Sequence, residues 1–164
     1  MKKNEGPEEP RPRGAGFSSA SFLLAQVGAH AASQFAQRLG RVQLAPRHAG
    51  ILRLLNSNPA TTQQALAATL NMVPSQLVAV VDEMEERGLI ERRTNPDDRR
   101  SYALHITEKG RSTLREIGAI AREHSQALLA ALSHEEQRQL GELLQRVADQ
   151  QGLTRGVHPG YRAV

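Results

Sequence analysis

The 164-residue sequence has no cysteine, no tryptophan, three phenylalanines and two tyrosines. Without cysteine, disulfides, thiol redox chemistry and thiolate metal sites are excluded. With aromatics at 3% of residues, any core must be aliphatic, built from Leu, Ile, Val and Ala. No apolar run approaches the roughly 20 residues needed to span a bilayer, so no membrane partner is expected. The opening "MKKNEGPEEPRPRGAG" lacks the apolar stretch of a secretory signal, and a soluble cytoplasmic protein is the expectation. Catalytic signatures are missing as well. There is no glycine-rich phosphate loop, no GxSxG and no HExxH, so an enzyme is not expected. His30, His48, His105, His124, His134 and His158 form no HxH or HxxxH pair. No sequence-encoded metal site or cofactor follows, although a site assembled from separate helices stays open.

What the sequence does contain is charge and helical periodicity. Twenty-one Lys and Arg against seventeen Asp and Glu give a net charge of +4 and a pI of about 10.1, which permits a polyanionic partner without proving one. Residues 1–16, dense in Pro, Gly and charge, cannot bury a core and are expected to be a disordered tail. Residues 153–164 are expected to be a second loose tail. The length between suits one compact domain with an added oligomerisation element.

A patchy apolar stripe through Phe22, Leu23, Val27, Phe35 and Leu39 marks a long first helix within residues 17–46, interrupted by His30. Ile51, Leu52, Leu54 and Leu55 mark a second helix, ended by "NSNP". Thr61 or Thr62 caps a short third helix bearing Leu66 and Leu70, and Asn71 marks a turn. A fourth helix runs from about Pro74 to Arg87, with proline in its first turn and Gly88 as its stop. Leu77, Val80, Val81 and Met84 form its core face by helical spacing, and Ser75, Gln76, Val78, Ala79 and Asp82 its other face. Ile90 to Thr94 reads as a strand and "NPDD" as a turn. In Tyr102, Leu104 and Ile106 the period changes to two. Thr107 caps a long helix with heptad-like apolar spacing from Leu114 through His124 to Leu128. Ser133 and Glu136 form a capping box for a last helix.

This order predicts a mainly α fold with a small β-wing: a winged helix-turn-helix lobe over residues 47–107, flanked by an N-terminal dimerisation helix at 17–46 and C-terminal dimerisation helices at 108–152. The flanking stripes exceed what one small lobe can cover, so burial against a second copy is expected. "ATTQQALAATLNMVPSQLVAVVDEMEERGLIERR" and "NPDDRRSYALHITEKGR" carry a resemblance to the MarR family of transcriptional regulators, covering residues about 20–150. The resemblance implies a homodimer on a pseudo-palindromic double-stranded DNA operator, a repressor more than an activator. It also implies a small effector, often an aromatic anion, bound between lobe and dimer helices.

On that reading Ser75, Gln76, Val78 and Ala79 face base edges in a major groove. Many relatives carry Thr and a basic residue where this chain has Val78 and Ala79, so base reading by this helix is expected to be sparse. Thr62, Gln63 and Gln64 sit where a helix N-terminus suits a phosphate; the alternative is a plain cap with solvated glutamines. In the wing, the resemblance makes Arg100 the residue inserted into a minor groove, Asp98 its brace and Arg99 a phosphate contact. The alternative there is an ordinary turn with solvated arginines. At most one of Arg92 and Arg93 is expected to reach DNA. His30, Arg47 and His48 fall near the family's ligand crevice, though capping or packing also explains them. His124 reads as a core or interface histidine. A winged helix that dimerises or contacts protein without binding DNA is the competing function.

Overall fold

A computed structural model describes residues 19–94 and 102–158. Its elements run α1 (Ala20–Gly40), α2 (Pro46–Ser57), β1 (Thr61–Thr62), α3 (Gln63–Leu70), α4 (Pro74–Glu86), β2 (Ile90–Thr94), β3 (Tyr102–Ile106), α5 (Glu108–Leu128) and α6 (His134–Gln150). The caps follow from the sequence. Thr62, Thr107 and Ser133 each accept a backbone N–H of the first turn of α3, α5 and α6, and Glu136 returns a bond to the N–H of Ser133. Ser19 does the same for α1, a cap the apolar pattern gave no reason to single out.

The winged lobe is built on α2, α3 and α4 around Leu52, Leu55, Leu66, Leu70, Leu77, Val81, Met84 and Leu104, all sealed from solvent. Each such leucine contributes roughly 1.5–3 kcal/mol by burial. The turn between α3 and α4 is made by Asn71 at φ 52°, a left-handed position that asparagine tolerates, with the N–H of Met72 bonded to Ala67 O. Gly88, at φ +69°, ends α4 and sends the chain into β2.

Three strands pair in the order β1–β3–β2, all antiparallel. The two-residue β1 went unseen in the sequence because two threonines carry no periodicity; it pairs Thr61 with Leu104 and Thr62 with Ala103. The alternation in β3 is only partly kept. Leu104 and Ile106 are buried, but Tyr102 is 60% exposed and Ala103 is buried instead. Tyr102 pairs with exposed Thr94 at the wing end of the hairpin, whereas Ala103 sits on the central strand between Thr62 and Arg93.

Helices α1 and α2 pack on α5, and Gly110 lies against the lobe so closely that a Cβ there would stand 2.1 Å from Leu89 O. None of the residues of α6 is buried. The expectation of a loose tail from 153 is corrected for its first residues. Gly156, at φ +73°, offers its carbonyl to Arg53 of α2 at 2.5 Å, and Val157 packs on the lobe core. Arg155 is held to Asp149 at the end of α6. Glycine and proline suggested slack, but here glycine provides the left-handed turn that brings the segment back.

Candidate nucleic-acid interface

Helix α4 divides as its spacing demands. Leu77, Val80, Val81 and Met84 are buried, while Ser75, Val78, Ala79 and Asp82 are exposed and Gln76 is half-buried. The four residues expected to face base edges are thus brought to one outward surface. Thr62, Gln63 and Gln64 lie together at the start of α3. Thr62 Oγ1 accepts from the N–H of Ala65 at 3.2 Å, so it is a cap, and its hydroxyl proton is left to donate. Thr61 is committed elsewhere, donating to Asn58 O at 2.7 Å.

Behind that surface β2 is fastened to α4 by Arg92. Its guanidinium bonds Asp82 Oδ1 at 2.5 Å and Glu85 Oε2, and its backbone N–H donates to Glu85 Oε1 at 3.0 Å. Burial works against the charge on Arg92, but the bonds to Asp82 and Glu85 outweigh it and push its pKa up. Arg93 points the other way, 62% exposed and paired among the described residues with Glu91. One arginine of the pair therefore faces the lobe and one faces solvent, as the strand geometry required. The wing residues Asp98, Arg99 and Arg100 lie outside the described residues.

Within the lobe, α2 and α4 meet at His48, the one buried polar side chain among the described residues. Its Nδ1 accepts from the N–H of Ala45 at 3.0 Å, doing for α2 what Glu136 does for α6. The neutral ring therefore carries its proton on Nε2, which stands 3.3 Å from Glu83 Oε2 but is not aligned as a hydrogen bond. Arg87 Nη1 completes the network, donating to Glu83 Oε1 at 3.2 Å and to Gln43 O at 2.9 Å. Burial holds the pKa of His48 below its ordinary value. Glu83 pulls it up, Arg47 and Arg87 push it further down, and the net is a neutral histidine near pH 7.

A crevice of about 240 Å³ between α1 and α5 is lined by His30, Gln34, Arg38, His124, Ala127 and Leu128. Of the expected trio His30, Arg47 and His48, only His30 lines it; His48 is spent inside the lobe. The ring of His124 stands 5.6 Å from that of Phe35, and burial, then Arg38 and His30, lower its pKa. Arg38 Nε is buried without a hydrogen-bond partner. Gln34 and Arg38 were missed in the sequence, although the spacing of four from His30 to Gln34 to Arg38 puts them on one side of α1. No group of three His, Cys, Asp or Glu that could hold a metal occurs among the described residues.

Two short helices meeting at a left-handed asparagine, backed by a hairpin pinned to the second helix, define a winged helix-turn-helix. Residues 44–102 match the MarR family. Over 122 residues, 74% of this chain and 74% of the relative, the sequence is 37% identical to a protein assigned to transcriptional regulation of the hcr operon in Thauera aromatica. The transcriptional repressor CouR bound to a 23-mer DNA duplex is similar with TM-score 0.72 at 31% identity, over 85% of this chain and 99% of that one. CouR from Rhodococcus jostii bound to p-coumaroyl-CoA gives TM-score 0.65 at 30% identity, over 80% of this chain and 92% of that one. The chain belongs to the MarR family: it is a transcriptional regulator, not an enzyme.

Proposed function

We propose that this regulator is a homodimeric repressor that binds a pseudo-palindromic DNA operator in the cytoplasm and is released by a small ligand. The observation that carries the reading is the outward face of α4, where Ser75, Val78 and Ala79 are exposed and Gln76 half-buried on a helix braced to β2 by Arg92. Thr62, Gln63 and Gln64 supply phosphate contacts at the start of α3, where free N–H groups and the helix dipole favour an anion. In the wing, Arg100 enters the minor groove, Asp98 orients it and Arg99 meets a phosphate, by the match of "DDRR" to the family's wing. That a CouR structure holds a DNA duplex at 31% identity supports this assignment.

Support for a second copy comes from the apolar side chains that α1 and α6 leave exposed: Phe22, Leu23, Leu24 and Val27 on one, Leu143, Leu144 and Val147 on the other. Support for a ligand comes from the crevice, whose arginine and two histidines suit an aromatic anion, and from a CouR structure that holds p-coumaroyl-CoA. Arg47 and His48 have no part in that site on this reading.

The test is binding to a duplex selected from a random pool. Arg100→Ala should weaken it strongly and Asp98→Ala somewhat less, and an aromatic carboxylate should release the parent. Parent-like binding by both variants would sink the wing assignment, and a protein that selects no duplex would be the dimerisation module instead.

A further inference from the structure

The face that α4 turns outward has no cation on it. From Pro74 to Glu86 there is neither lysine nor arginine, and the first basic residue, Arg87, is spent on Glu83 and on Gln43 O. The exposed acid Asp82 is held by Arg92. What remains at the leading end is Ser75, half-buried Gln76, and two valines that solvent reaches: Val73, 56% exposed at the N-cap, and Val78, 42% exposed. A single exposed valine needs no explanation. These two occupy positions where other residues would serve the helix better. Val73 leaves α4 without the side-chain cap that Thr62, Thr107 and Ser133 give their helices, and Val78 is a weak helix former at a solvated site. The commonest contact to guanine, a forked pair from arginine or lysine to O6 and N7, cannot be made from this surface. Valine instead fits the one apolar group in the major groove, the 5-methyl of thymine.

We propose that Val73 and Val78 are specificity residues that read thymine methyl groups, with Gln76 placed to pair with adenine, so that each half-site is recognised through its A·T pairs and through their methyls. This rests on the reading that α4 enters the major groove.

Replacing thymine by uracil removes only the methyl and keeps the base pair and the O4 acceptor. In the selected duplex, uracil at one or two positions of a half-site should weaken binding by about 3–10-fold each, while uracil outside the half-sites should not. Val78→Ala should abolish the penalty at one of those positions, and Val73→Ala at the other; both are exposed sites where alanine leaves folding intact. Uracil duplexes bound as well as thymine duplexes would overturn the proposal, as would a uracil penalty that persists unchanged in both variants. If no duplex is selected at all, the DNA-binding reading fails and this one falls with it. Tight duplex binding that ignores uracil rejects the methyl contact alone.

Discussion

Removing the Arg92 side chain should loosen β2 from α4, and the structure sets the size of the effect. The Arg92 side chain is 22% exposed and bridges Asp82, 52% exposed, and Glu85, 38% exposed. Breaking a fully buried pair costs roughly 3–5 kcal/mol, because the orphaned charge stays dry. A surface pair is worth only about 0–1 kcal/mol. Here both carboxylates regain water once the arginine is gone, and Glu85 still accepts the backbone N–H of residue 92. Arg92→Ala should therefore cost about 1–3 kcal/mol, or about 2–12 °C in Tm for a chain of this size. Arg93→Ala, at a more exposed pair, should cost under about 0.5 kcal/mol. Arg92→Lys should recover only part of the loss, since an ammonium cannot fork between two acids. Urea unfolding at fixed protein concentration gives the stabilities, and duplex affinity far below the unfolding midpoint gives the functional readout. If Arg92→Ala matches Arg93→Ala in both, the brace does not exist.

Three further outcomes are expected. The pKa of buried His48 lies below its ordinary 6.5, so the unfolded chain takes up this proton first. Stability should be complete above about pH 6.5 and fall as pH drops towards the lower folded-state value. His48→Gln should flatten that slope in unfolding measurements between pH 7.5 and 5.5, leaving a remainder from His124, which is shifted the same way; an unchanged slope would contradict the assignment. Gly110→Ala should destabilise by at least about 1–3 kcal/mol, because its Cβ would stand 2.1 Å from Leu89 O and 2.8 Å from Ile106 Cγ1. Gly156→Ala should cost about 1–2 kcal/mol for its left-handed backbone and expel Arg53, whose Nη2 would lie 1.5 Å from the new Cβ; hydrogen exchange in residues 153–158 should rise, and unchanged protection would refute the contact.

What was legible in the sequence is what local chemistry determines. Thr107 and Ser133 announce their helices and the pair Thr61 and Thr62 a third, the spacing of Leu77, Val80, Val81 and Met84 announces the face of α4, and Gly88 announces its end. What was hidden depends on distant partners. Spacing puts Asp82 on the outer face of α4, but nothing local shows that β2 brings Arg92 between it and Glu85. His48 could be read as a ligand residue or as a capping and packing one, and its partners, Ala45 N–H and Glu83, are not legible from its neighbours in sequence. Tyr102 followed the strand period yet lies beyond the lobe that covers Leu104. The return of residues 153–158 to α2 rests on a backbone carbonyl, which no side-chain pattern records.

The account stands most directly on whether the chain selects a duplex as a two-fold dimer. Selection from a random pool, followed by binding constants across a salt series, should give inverted half-sites with centres about one helical turn apart. The logarithm of the binding constant should fall steeply and linearly with the logarithm of salt as lysines and arginines displace phosphate counterions. No enriched sequence together with a flat salt dependence would contradict it.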